Sequence, residues 1–181
     1  FDIFDGGNGD DVISNASSGE PVSGGNGSDL VYFDLSSTQI GTQINLLTGV
    51  GPGAAWTGVE HISGAFGSGD DNVVVAMQLA FLDGGGGNDS LTLDYSGALA
   101  DGRTATRIVF SLGSSYAEER ITLSDGSGSP SSMQITGFES YTITGTVGND
   151  HIDATGADKG NRLAGGAGND FLRAGLGAAF F

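Results

Sequence analysis

Apolar residues recur at every ninth position over long parts of the chain, and glycine and polar residues fill most positions between them. One short strand and one turn per nonapeptide is the simplest structure with this period, because each repeat then sends one apolar side chain into the core. The pattern therefore predicts the core of a β-solenoid. Its apolar positions are Phe4, Ile13, Val22, Val31 and Ile40, then Val73, Leu82 and Leu91, and finally Leu163, Leu172 and Phe181.

Two longer stretches interrupt the nine-residue period, at 41–65 and 92–144. The first contains an alternating segment at 42–47, and the second contains another at 106–112. Residues 120–124 can pair with the latter through the connection 113–119, which predicts a β-hairpin or a widened coil. The pattern leaves open whether these two excursions continue the solenoid or fold beside it.

The turns between the predicted strands share the frame G-G-x-G-x-D-x-apolar. It occurs in full at 6–13, 24–31, 84–91 and 165–172. Glycines allow the positive φ angles of a tight turn whose carbonyls point inward, and the Asp adds a carboxylate oxygen, a hard ligand that calcium prefers. The frame resembles the nonapeptide of the repeats-in-toxin (RTX), or haemolysin-type, calcium-binding family.

That resemblance implies an all-β fold, a parallel β-roll or β-solenoid with longer β-hairpin or widened-coil excursions. In such a roll two nonapeptides form one coil, so turns eighteen residues apart stack, and calcium binds between stacked turns. The carboxylates follow this spacing in three pairs, the last with two inserted residues: Asp11 with Asp29, Asp71 with Asp89, and Asp150 with Asp170. We expect one calcium site per pair, all along one edge of the roll.

The resemblance also implies carbonyl ligands from the second and fourth frame positions, namely Gly7, Gly9, Gly25, Gly27, Gly67, Gly69, Gly85, Gly87, Gly148, Gly166 and Gly168. A weaker fourth site would join Asp2 to Glu20, which are again eighteen residues apart. That site would lie on the opposite edge, whose other frame positions hold Glu20, Ala80, Asn161 and Ala179 in place of Asp. Phe66 and Thr146 replace frame glycines, so these two turns depart from the family frame.

A second, larger repeat spans the excursions. Residues 24–36 match 84–96, and residues 57–73 match 136–152 without a gap. This order resembles the tandem units of large secreted or surface RTX proteins. We therefore expect one elongated domain over 1–181, with repeat units at about 24–83 and 84–163 and further roll turns at 164–181. The first residues fit the end of an upstream nonapeptide, which predicts a segment of a longer protein.

Charge restricts the partners of the chain. The formal net charge is −16, and no Lys or Arg precedes Arg103. Such a chain repels nucleic acid, whose binding depends on neutralised phosphates, and divalent cations are its natural counter-charge. The absence of Cys excludes disulfides and thiolate metal sites. No apolar stretch is long enough to predict a membrane span.

Signals of catalysis are weak. His61 and His151 lack the neighbouring His or Glu of a zinc hydrolase, and no G-x-S-x-G elbow occurs. A platform for a sugar could combine Trp56 with Tyr32 or Tyr95, although core packing is the favoured interpretation of these rings. The sequence therefore predicts that the chain is not an enzyme.

These patterns predict a calcium-dependent structural or extender module of a large type I-secreted bacterial surface protein or adhesin, folding on calcium binding outside the cell. Its expected partners are calcium ions and neighbouring tandem repeats, with a cell-surface or carbohydrate partner left open. One alternative is the C-terminal calcium β-roll of a secreted hydrolase or epimerase. Another is a carbohydrate-binding or ice-binding adhesin domain.

Overall fold

The structure, a computed structural model, describes residues 2–76, 81–99, 102–113, 117–124, 126, 134–157 and 159–175. These residues form seventeen β-strands and no helix, so the predicted all-β class is confirmed. No helix long and apolar enough to cross a membrane occurs among them. The strands are β1 (Phe4–Asp5), β2 (Val12–Ala16), β3 (Val22–Ser23), β4 (Leu30–Asp34), β5 (Gln43–Asn45), β6 (Trp56–Thr57), β7 (His61–Ala65), β8 (Asn72–Val75), β9 (Phe81–Asp83), β10 (Ser90–Asp94), β11 (Ala105–Leu112), β12 (Ala117–Leu123), β13 (Gln134–Thr136), β14 (Ser140–Thr144), β15 (His151–Ala154), β16 (Arg162–Ala164) and β17 (Phe171–Ala174).

The strands form three sheets. One has three strands in the order β1-β3-β6, and a second has five in the order β16-β14-β10-β8-β5. The third has nine, in the order β17-β15-β11-β12-β13-β9-β7-β4-β2. Neighbouring strands are parallel except at β12, which is antiparallel to both β11 and β13.

The strand register repeats the predicted spacing of eighteen residues where the period of nine is unbroken. Val12 pairs with Leu30, and Ser90 pairs with Asn72. Consecutive strands there belong to different sheets: β2 and β4 lie in the nine-stranded sheet, and β3 between them lies in the three-stranded sheet. A step of about nine residues therefore carries the chain to another sheet, and every second strand becomes a hydrogen-bonded neighbour.

The core consists of the apolar side chains that these strands point inward. Of the nine-residue series, all described members but three are buried: Ile13, Val22, Val31, Val73, Leu82, Leu91 and Leu163. Phe4 and Leu172 are partly buried and pack against the core. The prediction for Ile40 is wrong, since its side chain is 83% exposed. The chain leaves the nine-residue period after β4, and Ile44 of β5 enters the core instead. Ala80, Ala179 and Phe181 lie outside the described residues.

Both excursions contribute strands to these sheets. β5 pairs with β8 in the five-stranded sheet, and β6 pairs with β3 in the three-stranded sheet. The predicted hairpin is confirmed, because β11 and β12 are antiparallel, with Ile108 opposite Ile121. Its connecting residues 114–116 lie outside the described chain. Within the described residues, the strands of the excursions therefore extend the sheets and do not form separate ones.

The aromatic residues considered for sugar binding lie mostly inside. Trp56 and Tyr95 are each 1% exposed, which confirms core packing. The indole N–H of Trp56 donates to the main-chain oxygen of Glu20 at 3.0 Å. A sugar platform built on either of these rings is wrong, because neither ring reaches the surface. Tyr32 is exposed.

Candidate metal centre

The six Asp residues of the frame occupy equivalent places in the fold. Each lies directly before the first residue of a strand: β2, β4, β8, β10, β15 and β17. The apolar residue two positions later fixes this placement, because its side chain enters the core. Each Asp thus ends a turn and precedes a strand. Four of the six side chains are almost wholly buried: Asp29, Asp71, Asp89 and Asp150.

Two of these turns and the turn that ends at Glu60 are linked through carboxylates, at the N-terminal ends of strands of the nine-stranded sheet. Asp29 Oδ1 accepts the main-chain N–H of Asp11 at 2.8 Å. Glu60 Oε2 in turn accepts the N–H of Asp29 at 2.9 Å. We call Asp11, Asp29 and Glu60 the first row. One oxygen of each acceptor is thereby fixed by the neighbouring turn.

The second row consists of Asp71, Asp89 and Glu139, which directly precede strands of the five-stranded sheet. Asp71 Oδ1 accepts the N–H of Thr42 at 2.6 Å, and Asp89 Oδ1 accepts that of Asp71 at 2.8 Å. Glu139 Oε2 accepts the N–H of Asp89 at 2.7 Å. The two rows therefore share one design, an Asp pair followed by a Glu.

The third row consists of Asp150 and Asp170 and again lies at the nine-stranded sheet. Asp150 Oδ1 accepts the N–H of Ile108 at 2.8 Å, and Asp170 Oδ1 accepts that of Asp150 at 2.9 Å. The structure thus brings together each of the three predicted Asp pairs, through a main-chain N–H of one member and a carboxylate of the other.

The predicted arrangement along a single edge is wrong. The first and third rows precede strands of the nine-stranded sheet, whereas the second precedes strands of the five-stranded sheet. Glu60 and Asp71 are eleven residues apart, about one step between sheets. The strand after Glu60 therefore belongs to the nine-stranded sheet and the strand after Asp71 to the five-stranded sheet. Asn161 belongs with the second row. It directly precedes β16 of the five-stranded sheet, and its Oδ1 accepts the N–H of Tyr141 in the neighbouring β14 at 2.9 Å.

Sequence reasoning missed Glu60 and Glu139 as members of the rows. A signal was present, since Glu60 lies two residues before the buried Ile62, as Asp29 lies two residues before Val31. These Glu residues occur in a Gly-apolar-Glu segment and not in the glycine-rich frame. Their longer side chain reaches the same acceptor position from a different turn.

The second carboxylate oxygen is the chemically unusual feature of the first two rows. Oδ2 is buried without a hydrogen-bond partner in four Asp residues: Asp11, Asp29, Asp71 and Asp89. Burying an anion in this way is costly unless another charge compensates it. Accordingly, burial raises the pKa of Asp89 to about 6, and the charges of Asp71 and Glu139 add to the effect. Burial also raises the pKa of Asp71 and of Glu60.

Glycine leaves room beside these oxygens. A Cβ atom on Gly6 would lie 2.8 Å from Asp11 Oδ2 and 2.5 Å from the carbonyl oxygen of Gly24. A Cβ on Gly24 would lie 2.6 Å from Asp29 Oδ2 and would also collide with the carbonyl of Gly58. A carboxylate oxygen and a main-chain carbonyl oxygen therefore converge on each of these glycines.

The frame turns are of two kinds. In the turns before Asp11, Asp29, Asp89 and Asp170, the second and fourth frame glycines all have positive φ: Gly7, Gly9, Gly25, Gly27, Gly85, Gly87, Gly166 and Gly168. In the turns before Asp71 and Asp150, Gly67, Gly69 and Gly148 do not adopt this conformation. These are the two turns in which Phe66 and Thr146 replace a frame glycine.

The weaker predicted pair is built differently. Both oxygens of Glu20 accept main-chain N–H groups, from Ser17 at 2.8 Å and from Asp2 at 3.4 Å. The hydrogen bonds from Ser17 lower the pKa of Glu20. Asp2 is exposed. The structure therefore joins Asp2 and Glu20 through a main-chain N–H, and Glu20 already has a partner for each oxygen.

The described residues contain no group of three or more His, Cys, Asp or Glu side chains that could hold a metal ion. A cation at the rows would therefore need main-chain carbonyl oxygens beside the carboxylates. His61 Nε2 lies 2.9 Å from Ser28 Oγ, and the ring of His151 stacks on Phe171. No model of a known protein family matches the chain, and no curated protein matches it.

Proposed function

We propose that the chain is a calcium-dependent structural module, a β-roll of the RTX kind, that serves as an extender segment of a large exported bacterial surface protein. The observation that carries this proposal is the set of buried, unpartnered carboxylate oxygens of Asp11, Asp29, Asp71 and Asp89. A bound cation would compensate these charges, which otherwise destabilise the folded chain.

The donor set suits calcium better than other biological cations. The rows offer carboxylate and carbonyl oxygens, which are hard ligands, and the chain has no Cys for a soft metal. Calcium accepts six to eight oxygens in flexible geometry, whereas magnesium requires a near-ideal octahedron. Asp11, Asp29, Asp71 and Asp89 would hold the ion together with glycine carbonyls of the neighbouring turns. The ion would supply positive charge and a link between turns.

The rows prepare the carboxylates for such an ion. In Asp29, Oδ1 is held by the N–H of Asp11, which orients the group and leaves Oδ2 available. Asp89 is oriented in the same way by the N–H of Asp71. Little side-chain freedom would then be lost on binding, so more of the binding energy would stabilise the fold.

The proposed mechanism is metal-linked folding. At low cytosolic calcium, a net charge of −16 and the buried acids favour the unfolded, exportable chain. Outside the cell, calcium would stabilise the folded state by about 2.7 kcal/mol per site at a hundredfold excess over its dissociation constant. The parallel stacking of successive turns is an arrangement that neighbouring tandem repeats can extend, which supports the extender role.

Calcium binding to the isolated chain tests the proposal. Equilibrium dialysis should show about two tightly held ions, one for each row with unpartnered oxygens. Replacing both Asp29 and Asp89 by Asn should abolish most of this binding. The matched control replaces Asp10 and Asp70 by Asn. These are exposed Asp residues adjacent to Asp11 and Asp71, and they accept the N–H groups of Ser28 and Asn88. Equal binding by the two double variants, or none by the wild type, would refute the proposal.

A further inference from the structure

The third row differs from the other two at Asp150. This side chain is 3% exposed, yet both of its oxygens have partners. Oδ2 accepts the N–H of Thr146 at 2.6 Å, and the Thr146 hydroxyl lies 3.0 and 3.1 Å from Oδ1 and Oδ2. Asp150 is therefore satisfied by protein groups where Asp11, Asp29, Asp71 and Asp89 are not.

The direction of these hydrogen bonds is fixed. The main-chain N–H of Gly148 donates to Thr146 Oγ1 at 3.0 Å, so that oxygen acts as an acceptor there. A hydroxyl has one proton, and Asp150 is its acceptor on the other side. The hydroxyl thus presents its positive end to the carboxylate, as a cation would present its charge.

Thr146 stands at the second position of the frame, where the other turns have glycine. Gly7, Gly25, Gly85 and Gly166 have φ between 83° and 106°, whereas neither Thr146 nor Gly67, the second frame residue before Asp71, adopts a positive φ. A β-branched residue strongly disfavours that conformation. The turns before Asp71 and Asp150 therefore share this conformation, but Asp71 Oδ2 has no partner and Asp150 has the Thr146 hydroxyl, so the hydroxyl is what distinguishes the Asp150 turn.

We infer that the Thr146 hydroxyl takes the place of a cation at Asp150, and that residue 146 decides whether this turn binds one. The inference rests on the proposed function for the other rows. It assigns no ion to the Asp150 turn, which the sequence alone predicts to hold calcium. The protein would then combine turns closed by a metal with a turn closed by its own side chain.

Substitution of Thr146 by glycine tests this directly, because residues 145–150 then read G-G-V-G-N-D and match the frame. Dialysis with calcium alone should show about one more ion per chain for Thr146→Gly than for the wild type. Thr146→Ser keeps the hydroxyl and should bind as the wild type does. Thr155→Gly, at an exposed turn residue, controls for the added glycine.

A second readout does not depend on calcium. With excess chelator and sucrose to favour the folded state, Thr146→Ala should melt at least about 2 °C below Thr146→Ser, because Asp150 loses a buried partner. Equal melting of the two variants would overturn the inference, as would unchanged calcium stoichiometry in a Thr146→Gly variant of a chain that binds calcium. If no variant binds calcium but the melting difference appears, the proposed function fails, and Thr146 remains established as the partner of Asp150.

Discussion

Replacing Asp89 by Asn should change stability in opposite directions with and without calcium. The substitution removes the negative charge and keeps Oδ1, which accepts the N–H of Asp71. Asn161 is an amide in this row: its Oδ1 accepts the N–H of Tyr141, and its Nδ2 is buried without a hydrogen-bond partner. The experiment therefore removes charge while conserving the hydrogen bond and the size of the side chain.

The structure gives the size of the effect. Burial and the nearby carboxylates raise the pKa of Asp89 from 3.8 to about 6. At about 1.4 kcal/mol per pH unit, the ionised group costs the calcium-free folded state up to about 3 kcal/mol at pH 8. Asp89→Asn removes that cost, so the variant should be the more stable protein in chelator. In saturating calcium it should be less stable, because the ion loses a charged ligand.

Urea denaturation at pH 8 measures both effects, with the same sucrose concentration in chelator and in calcium so that the chelated protein is folded. The control is Asp70→Asn, which alters an exposed carboxylate next to the second row and should change either free energy of unfolding by less than about 0.5 kcal/mol. Changes of the same sign in both conditions for Asp89→Asn would refute the reasoning, and so would equal effects of the two variants.

Two further predictions concern pH and glycine. Without calcium, the folded state binds the Asp89 proton more tightly than the unfolded chain does. The free energy of unfolding should therefore be highest below about pH 4 and fall as pH rises through about 6. Urea denaturation across this range would contradict the prediction if the free energy of unfolding increased with pH. Gly24→Ala places a Cβ 2.6 Å from Asp29 Oδ2 and should cost about 1–3 kcal/mol in thermal unfolding, whereas Gly86→Ala, with open space around its Cβ, should cost nothing.

The fold was predictable where one rule governs each nonapeptide. Glycine at the turn and an apolar residue nine positions from the next one determine both where a strand starts and which side chain is buried, as at Val31 and Leu91. Ile40 fits the same spacing but is exposed, because the period ends with β4. Counting residues cannot show that the chain has left a register, since only pairing with a neighbouring strand maintains it.

The candidate site was predictable in its pairs and not in its arrangement. Spacing brings Asp11 to Asp29 and Asp71 to Asp89, because turns eighteen residues apart become neighbours. It does not tell on which sheet a row begins once an excursion of irregular length intervenes, and so the single-edge prediction failed. Nor does it show that Thr146 donates to Asp150, since a hydroxyl's partner depends on the path of the turn.

Far-ultraviolet circular dichroism of the chain in excess chelator, without sucrose, tests the central claim most directly. The buried acids of the first two rows and the net charge of −16 predict loss of the β signal there. Millimolar calcium should restore the signal, and magnesium at the same concentration should hardly do so, because its octahedral demand suits these carbonyl and carboxylate groups poorly. A spectrum and melting temperature that remain the same in chelator as in calcium would contradict the account.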